Sequence, residues 1–154
     1  MDLYNYKVLP ADICDYLINL YESDVENHER VNNQSKPTFT QLNLNKYHAN
    51  IISNLCNYFS ISLNFYKQDV PQAKYLPQVK YLEEFRIKKY EVGGEDRFEE
   101  HVDVIDHRSS KRSLAMLFYL NDVVSGGKTI FPYQDKEFTP SKGDVIIFPP
   151  TWEY

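Results

Sequence analysis

Phe98-Glu99-Glu100-His101-Val102-Asp103 is the stretch on which the reading of this chain turns. Alternate residues of an extended strand point to one face, so the pattern predicts a strand that sets the His101 imidazole beside the Asp103 carboxylate. An imidazole and a carboxylate are ligands for a borderline divalent ion. With one further His they would complete the two-His-one-carboxylate set that leaves positions open on ferrous iron. No third donor stands near them in sequence. His107 falls in the polar turn Asp106-His107-Arg108-Ser109 and reads as a surface side chain. His28 reads as a solvated loop residue, and His48 as a surface or packing histidine on a helix.

The surroundings of the triplet are strand-like. Upstream, Tyr81, Phe85 and Ile87 alternate with charged residues until Gly93-Gly94 breaks the pattern. Downstream, the apolar run Leu114 to Leu120 reads as a central strand buried on both faces. Ser125-Gly126-Gly127 is a turn, Thr129-Ile130-Phe131 a short strand closed by Pro132, and Lys142-Gly143-Asp144 leads into the strand Val145 to Phe148. Short strands with turns at regular spacing predict an antiparallel sandwich or jelly roll over residues 78–154. The first 77 residues read differently. Ile13, Leu17, Leu20 and Tyr21 predict a helix over about 10–23, and Tyr47, Ile51, Ile52, Leu55, Tyr58, Phe59 and Leu63 one over about 45–67. Between them, Ser23 to Lys36 reads as a loop and Phe39 to Leu44 as an edge strand. The expected fold class is therefore α+β in one domain, with helical support over 1–77 and a β core over 78–154.

The length of 154 residues fits one domain, and 17 basic against 22 acidic residues give a formal charge of −5 with no basic stripe. That argues against nucleic acid as a primary ligand. Cys14 and Cys56 lie in apolar helical segments and read as small core residues, which suits a reducing compartment. Neither a signal peptide at Met1-Asp2-Leu3-Tyr4-Asn5 nor an apolar run of about 20 residues is visible, so no membrane partner and a cytoplasmic location are expected.

Phe85-Arg86-Ile87-Lys88-Lys89-Tyr90, Gly93-Gly94, Phe98 with His101-Val102-Asp103, Tyr119-Leu120-Asn121, Gly126 through Pro132, and Pro140 with Lys142-Gly143-Asp144 before Phe148-Pro149 follow one another in order. This series resembles the Fe(II)/2-oxoglutarate-dependent dioxygenases of the prolyl 4-hydroxylase type. The resemblance implies a double-stranded β-helix, the jelly roll of the cupins. It implies Fe(II) on His101 and Asp103, 2-oxoglutarate as cosubstrate with Tyr119 bonding its distal carboxylate, and Tyr90 and Thr129 lining the same pocket. It also implies molecular oxygen and a peptidyl proline or another small or peptidyl substrate, with ascorbate as a further cofactor. Arg97 and Arg112 read as salt-bridged surface residues rather than cosubstrate anchors.

The family's second iron His and its carboxylate-binding cation follow the Phe-Pro strand end, whereas this sequence stops at Phe148-Pro149-Pro150-Thr151-Trp152-Glu153-Tyr154. The expectation is a fragment of a longer enzyme, the alternative a shortened, non-catalytic binding module. Either way, the 154-residue chain is expected to bind iron weakly, to show little turnover, and to leave an unpaired sheet edge near Val145 to Phe148.

Overall fold

The computed structural model describes residues 3–32, 37–151 and 153. Helix α1, Ala11–Ser23, follows Pro10, which cannot donate into a preceding turn, and carries Asp12 in its first turn, where the helix dipole favours a carboxylate. Cys14, Leu17 and Tyr21 recur on one face and are buried there. The helix expected over 45–67 is broken. It becomes a single turn, α2 at Leu44–Tyr47, then a 3-10 turn at Ala49–Ile51, and then α3 at Ile52–Asp69. The break is at His48, whose backbone leaves helical geometry (φ −135°, ψ 47°) while its Nε2 meets Asp24 Oδ2 at 2.6 Å. That tertiary contact overrides a weak local preference.

Among the described residues there are eight short strands: β1 (Tyr4–Lys7), β2 (Glu29–Asn32), β3 (Thr38–Asn43), β4 (Arg86–Lys89), β5 (Ala115–Phe118), β6 (Thr129–Phe131), β7 (Lys136–Phe138) and β8 (Asp144–Phe148). They form three separate antiparallel sheets, in the orders β1-β8-β5, β2-β3-β4 and β6-β7. The expected double-stranded β-helix is therefore corrected: the described residues form three small sheets, not one jelly-roll core. The reason is strand recruitment. β8 pairs with β1 from the N-terminal region, and β4 pairs with β3, the segment expected as an edge strand, so parts of the region expected as helical support take ladder positions beside the later strands.

Two further placements change. The run from Leu114 was expected to be central, but β5 lies at a sheet edge and Leu117 is exposed. β8, expected to carry an open edge, is the middle strand, paired on both sides and buried on both faces. β3 is likewise central rather than an edge strand, and β2 occupies part of the expected loop 23–36. The rest of that loop, residues 33–36, lies outside the described residues.

Packing follows from strand alternation. Val145 and Ile147 point from β8 to Tyr66, Val70 and Ala73 at the end of α3 and beyond it, while Ile146 and Phe148 point the other way to Leu3 and Phe131. A third cluster joins Leu17 and Tyr21 of α1, Leu42 of β3, Leu44 and Leu55, with Phe85 and Ile87 against it. Each fully buried aliphatic side chain of β8 contributes roughly 1.5–3 kcal/mol. Among the described residues, no helix is long and apolar enough to cross a membrane.

Candidate functional site

Beyond β4 the chain turns through Gly93, whose φ of +74° an L side chain rarely adopts, and returns to β3 at a single bridge. There Thr38 N–H donates to Arg97 O at 2.8 Å and Arg97 N–H to Thr38 O at 3.0 Å. Asp96 holds the turn: its carboxylate accepts from Arg30 at 2.5 and 3.1 Å and from the Glu91 N–H at 3.0 Å. After Arg97 no ladder continues, so Phe98 to Asp103 is irregular and not the strand its alternation predicted.

His101 and Asp103 nevertheless meet. Nε2 of His101 lies 3.2 Å from Oδ1 of Asp103, and Nδ1–H donates to the Glu99 carbonyl at 2.7 Å. With an acceptor at each ring nitrogen the imidazolium is favoured; the Asp103 carboxylate is the main cause that raises the His101 pKa, opposed by burial. The same contact holds the Asp103 carboxyl below its usual range. Arg112 braces the segment by donating to Asp103 O at 2.7 Å while gripping Glu83 at 2.6 and 3.1 Å. Arg97 pairs with Glu99 at 2.5 Å, so both arginines are salt-bridged as expected.

An aromatic wall runs from this pair toward β4. The Phe98 and His101 ring centroids are 3.9 Å apart, Phe98 and Phe39 6.0 Å, and Phe39 and Tyr90 5.5 Å. Tyr90 thus stands on the His101 side of the molecule. Lys88 crosses the wall with Nζ 4.8 Å from the Phe39 centroid and 5.3 Å from that of Phe98. The sequence marks Phe39 as part of a strand and Lys88 as part of the motif series but neither as a site residue; the two-residue spacing of Lys88 and Tyr90 is the signal it carries. Tyr119 and Thr129 are brought to each other instead, the phenol bonding Thr129 Oγ1 at 2.6 Å beside the Phe131 and Phe148 cluster. Burial raises the Tyr119 pKa, and the Thr129 bond opposes the shift.

Of the remaining histidines, His28 and His48 have structural partners. His48 pairs with Asp24, and His107 is exposed. His28, expected to be solvated, is half-buried: its ring stacks on Tyr21 at 4.0 Å and bonds the Tyr21 carbonyl at 2.8 Å. Among the described residues, no group of three or more His, Cys, Asp or Glu is placed to hold a metal ion. His101 and Asp103 are two donors of suitable chemistry, and a Nδ1–H bonded to a carbonyl is the arrangement that frees Nε2 for a metal. Two donors do not fit a three-ligand ferrous centre.

Residues 85–154 match the 2OG-Fe(II) oxygenase superfamily. The chain is 29% identical over 107 residues to "Probable prolyl 4-hydroxylase 9" of Arabidopsis thaliana, a match covering 56% of this chain and 36% of that protein. It is 30% identical over 100 residues to "Putative prolyl 4-hydroxylase" of Acanthamoeba polyphaga mimivirus, covering 65% of this chain and 38% of that protein. The matches thus span little more than a third of the length of these relatives. No solved structure matches the chain. The order of its motifs, the His101–Asp103 pair and these similarities agree: the chain carries, over residues 85–154, a 2OG-Fe(II) oxygenase superfamily domain with similarity to prolyl 4-hydroxylases.

Proposed function

We propose that the 154-residue chain acts as a non-catalytic binding module of oxygenase descent. The observation that supports this is the donor count: no third His, Cys, Asp or Glu joins His101 and Asp103 among the described residues. The two side chains pair with one another at 3.2 Å, the Glu99 carbonyl accepts from the other His101 ring nitrogen, and Arg112 donates to the Asp103 backbone carbonyl. Chemistry at ferrous iron needs three protein ligands on one face, so no reaction step is assigned to this site.

A second reading is a 2-oxoglutarate-dependent dioxygenase of the prolyl hydroxylase type, using Fe(II), oxygen and ascorbate on a peptidyl or other small substrate. One observation favours it, the Glu99 carbonyl that orients the His101 ring with Nε2 toward Asp103. Incubating the chain with Fe(II), ascorbate and 2-oxoglutarate in air and measuring succinate separates the two. The binding module gives no succinate above the protein-free rate; iron-dependent succinate that His101→Ala abolishes would establish the dioxygenase.

A further inference from the structure

An edge strand displays unpaired backbone groups, and a charged side chain on the strand is a common guard against pairing with another chain. Among the edge strands, β1 carries Lys7, β2 Arg30, β4 Lys88 and β7 Lys136, while β6 has three residues ended by Pro132. β5 has no such guard. It lies in the uncharged run Leu114 to Leu120, bounded by Lys111-Arg112 before it and Asn121-Asp122 after it.

The ladder fixes which groups of β5 look outward. Tyr119 N–H donates to the Asp144 carbonyl at 2.8 Å and Leu117 lies opposite Ile146. Alternation therefore turns the N–H and C=O of Leu117 toward β8, and those of Met116 and Phe118 toward the open edge. Among the described residues, no other segment bonds those outward groups. The side chains alternate too: Met116 and Phe118 pack with Val145 and Ile147, whereas Leu117 faces the other way and is 40% exposed.

We infer that β5 is a self-pairing surface, joining two copies of this chain as an antiparallel strand pair across a two-fold axis at Leu117. With the axis there, Met116 of each copy meets Phe118 of the other, and their outward N–H and C=O groups bond one another. Leu117 meets its own counterpart in the closely spaced, non-hydrogen-bonded position, which shields both exposed side chains from water. Antiparallel order also brings the basic end of each strand to the acidic end of the other, whereas parallel order would set like charges side by side. Arg112 is engaged by Glu83, so Lys111 supplies the attraction to Asp122 of the second copy. The pairing needs nothing from His101 and Asp103 and holds under either reading of them.

The test is sedimentation equilibrium of the full chain up to about 1 mM. A reversible monomer–dimer equilibrium is expected, weakened about tenfold or more in Leu117→Lys, which sets two ammonium groups against each other at the axis. Hydrogen exchange of the wild type, followed by NMR, reads the site directly. The Met116 and Phe118 amides should slow as the dimer fills, while the Leu117 amide, already bonded in the monomer, changes far less. A chain that stays monomeric to that concentration, or that grows beyond the dimer, would overturn the pairing. So would a Leu117→Lys chain that dimerises as tightly as wild type, or a dimer that leaves the Met116 and Phe118 amides unchanged. Should Leu117→Lys not fold, the exchange measurement alone decides.

Discussion

Asp24 and His48 join the ends of two helices, with Nε2 of His48 2.6 Å from Oδ2 of Asp24. Asp24 follows the last turn of α1 and His48 ends α2, so a single contact locks α1 against the segment that leads into α3. Asn27 supports the carboxylate with a second bond at 2.7 Å.

This contact makes stability depend on acid. The bond from His48 is the main cause that holds the Asp24 carboxyl below its usual range. A depressed folded pKa contributes stability that is fully present above the unfolded carboxyl value of about 3.9 and is lost as pH falls through the folded value. Asp24→Asn should therefore lower the melting temperature at pH 6 and narrow the gap to wild type at pH 3. Melts followed by circular dichroism at both pH values check this; a gap that widens in acid contradicts it.

Gly143 has a φ of +89°, and its carbonyl accepts the N–H groups of both Val8 and Leu9 at 2.9 Å. A methyl group there would run into the Leu9 carbonyl oxygen. Gly143→Ala should cost about 2 kcal/mol or more, from backbone strain plus the clash. Urea unfolding measures it, with Gly94→Ala as the control, since φ at Gly94 is not left-handed and a Cβ there meets only ordinary contacts.

β8 and β5 should respond in opposite ways. Ile146 is fully buried in the central strand, so Ile146→Ala should destabilise by roughly 2–5 kcal/mol. Leu117 is 40% exposed on an edge strand, and Leu117→Lys should change stability by no more than about 0.5 kcal/mol. A lysine there also guards an open, apolar edge, so self-association measured by sedimentation should fall. Unchanged self-association would place the sticky surface elsewhere.

Tyr119 and Thr129 form a half-buried hydroxyl pair at 2.6 Å. Removing the phenol oxygen by Tyr119→Phe should cost about 1 kcal/mol, as the Thr129 hydroxyl loses its partner. The raised Tyr119 pKa, caused first by burial, contributes stability that is complete below about pH 10 and is lost as pH rises through the folded value. Ultraviolet difference titration of Tyr119→Phe against wild type should show one late-titrating phenol fewer.

Some of this was legible before any fold was known. The apolar period placed α1 to within a residue at its start, because a helix is decided by neighbours one turn away. Val145 to Phe148 reads as a strand for the same local reason. β1 and β2 escaped notice: each has four residues that alternate between half-buried and exposed, too short to stand out from a loop. At the candidate site, the spacing of His101 and Asp103 was enough to bring their side chains together, although the strand that was to do so never formed. An extended segment becomes a strand only when a neighbouring backbone offers its hydrogen bonds, and after Arg97 none does.

The sequence by itself determined the helical and extended character of most segments, the motif series that marks an oxygenase superfamily domain, and the meeting of His101 with Asp103. All of these depend on residues close along the chain or on their order. Only the tertiary structure decided that β1 would flank β8, that β5 would be an edge, and that three small sheets would replace one jelly roll. It also decided that Lys88 would lie over the rings of Phe39 and Phe98 while its neighbours on β4, Arg86 and Lys89, found carboxylates. Strand pairing and charge pairing join residues far apart in sequence, and their outcome is set by competition among all available partners, which no local pattern records.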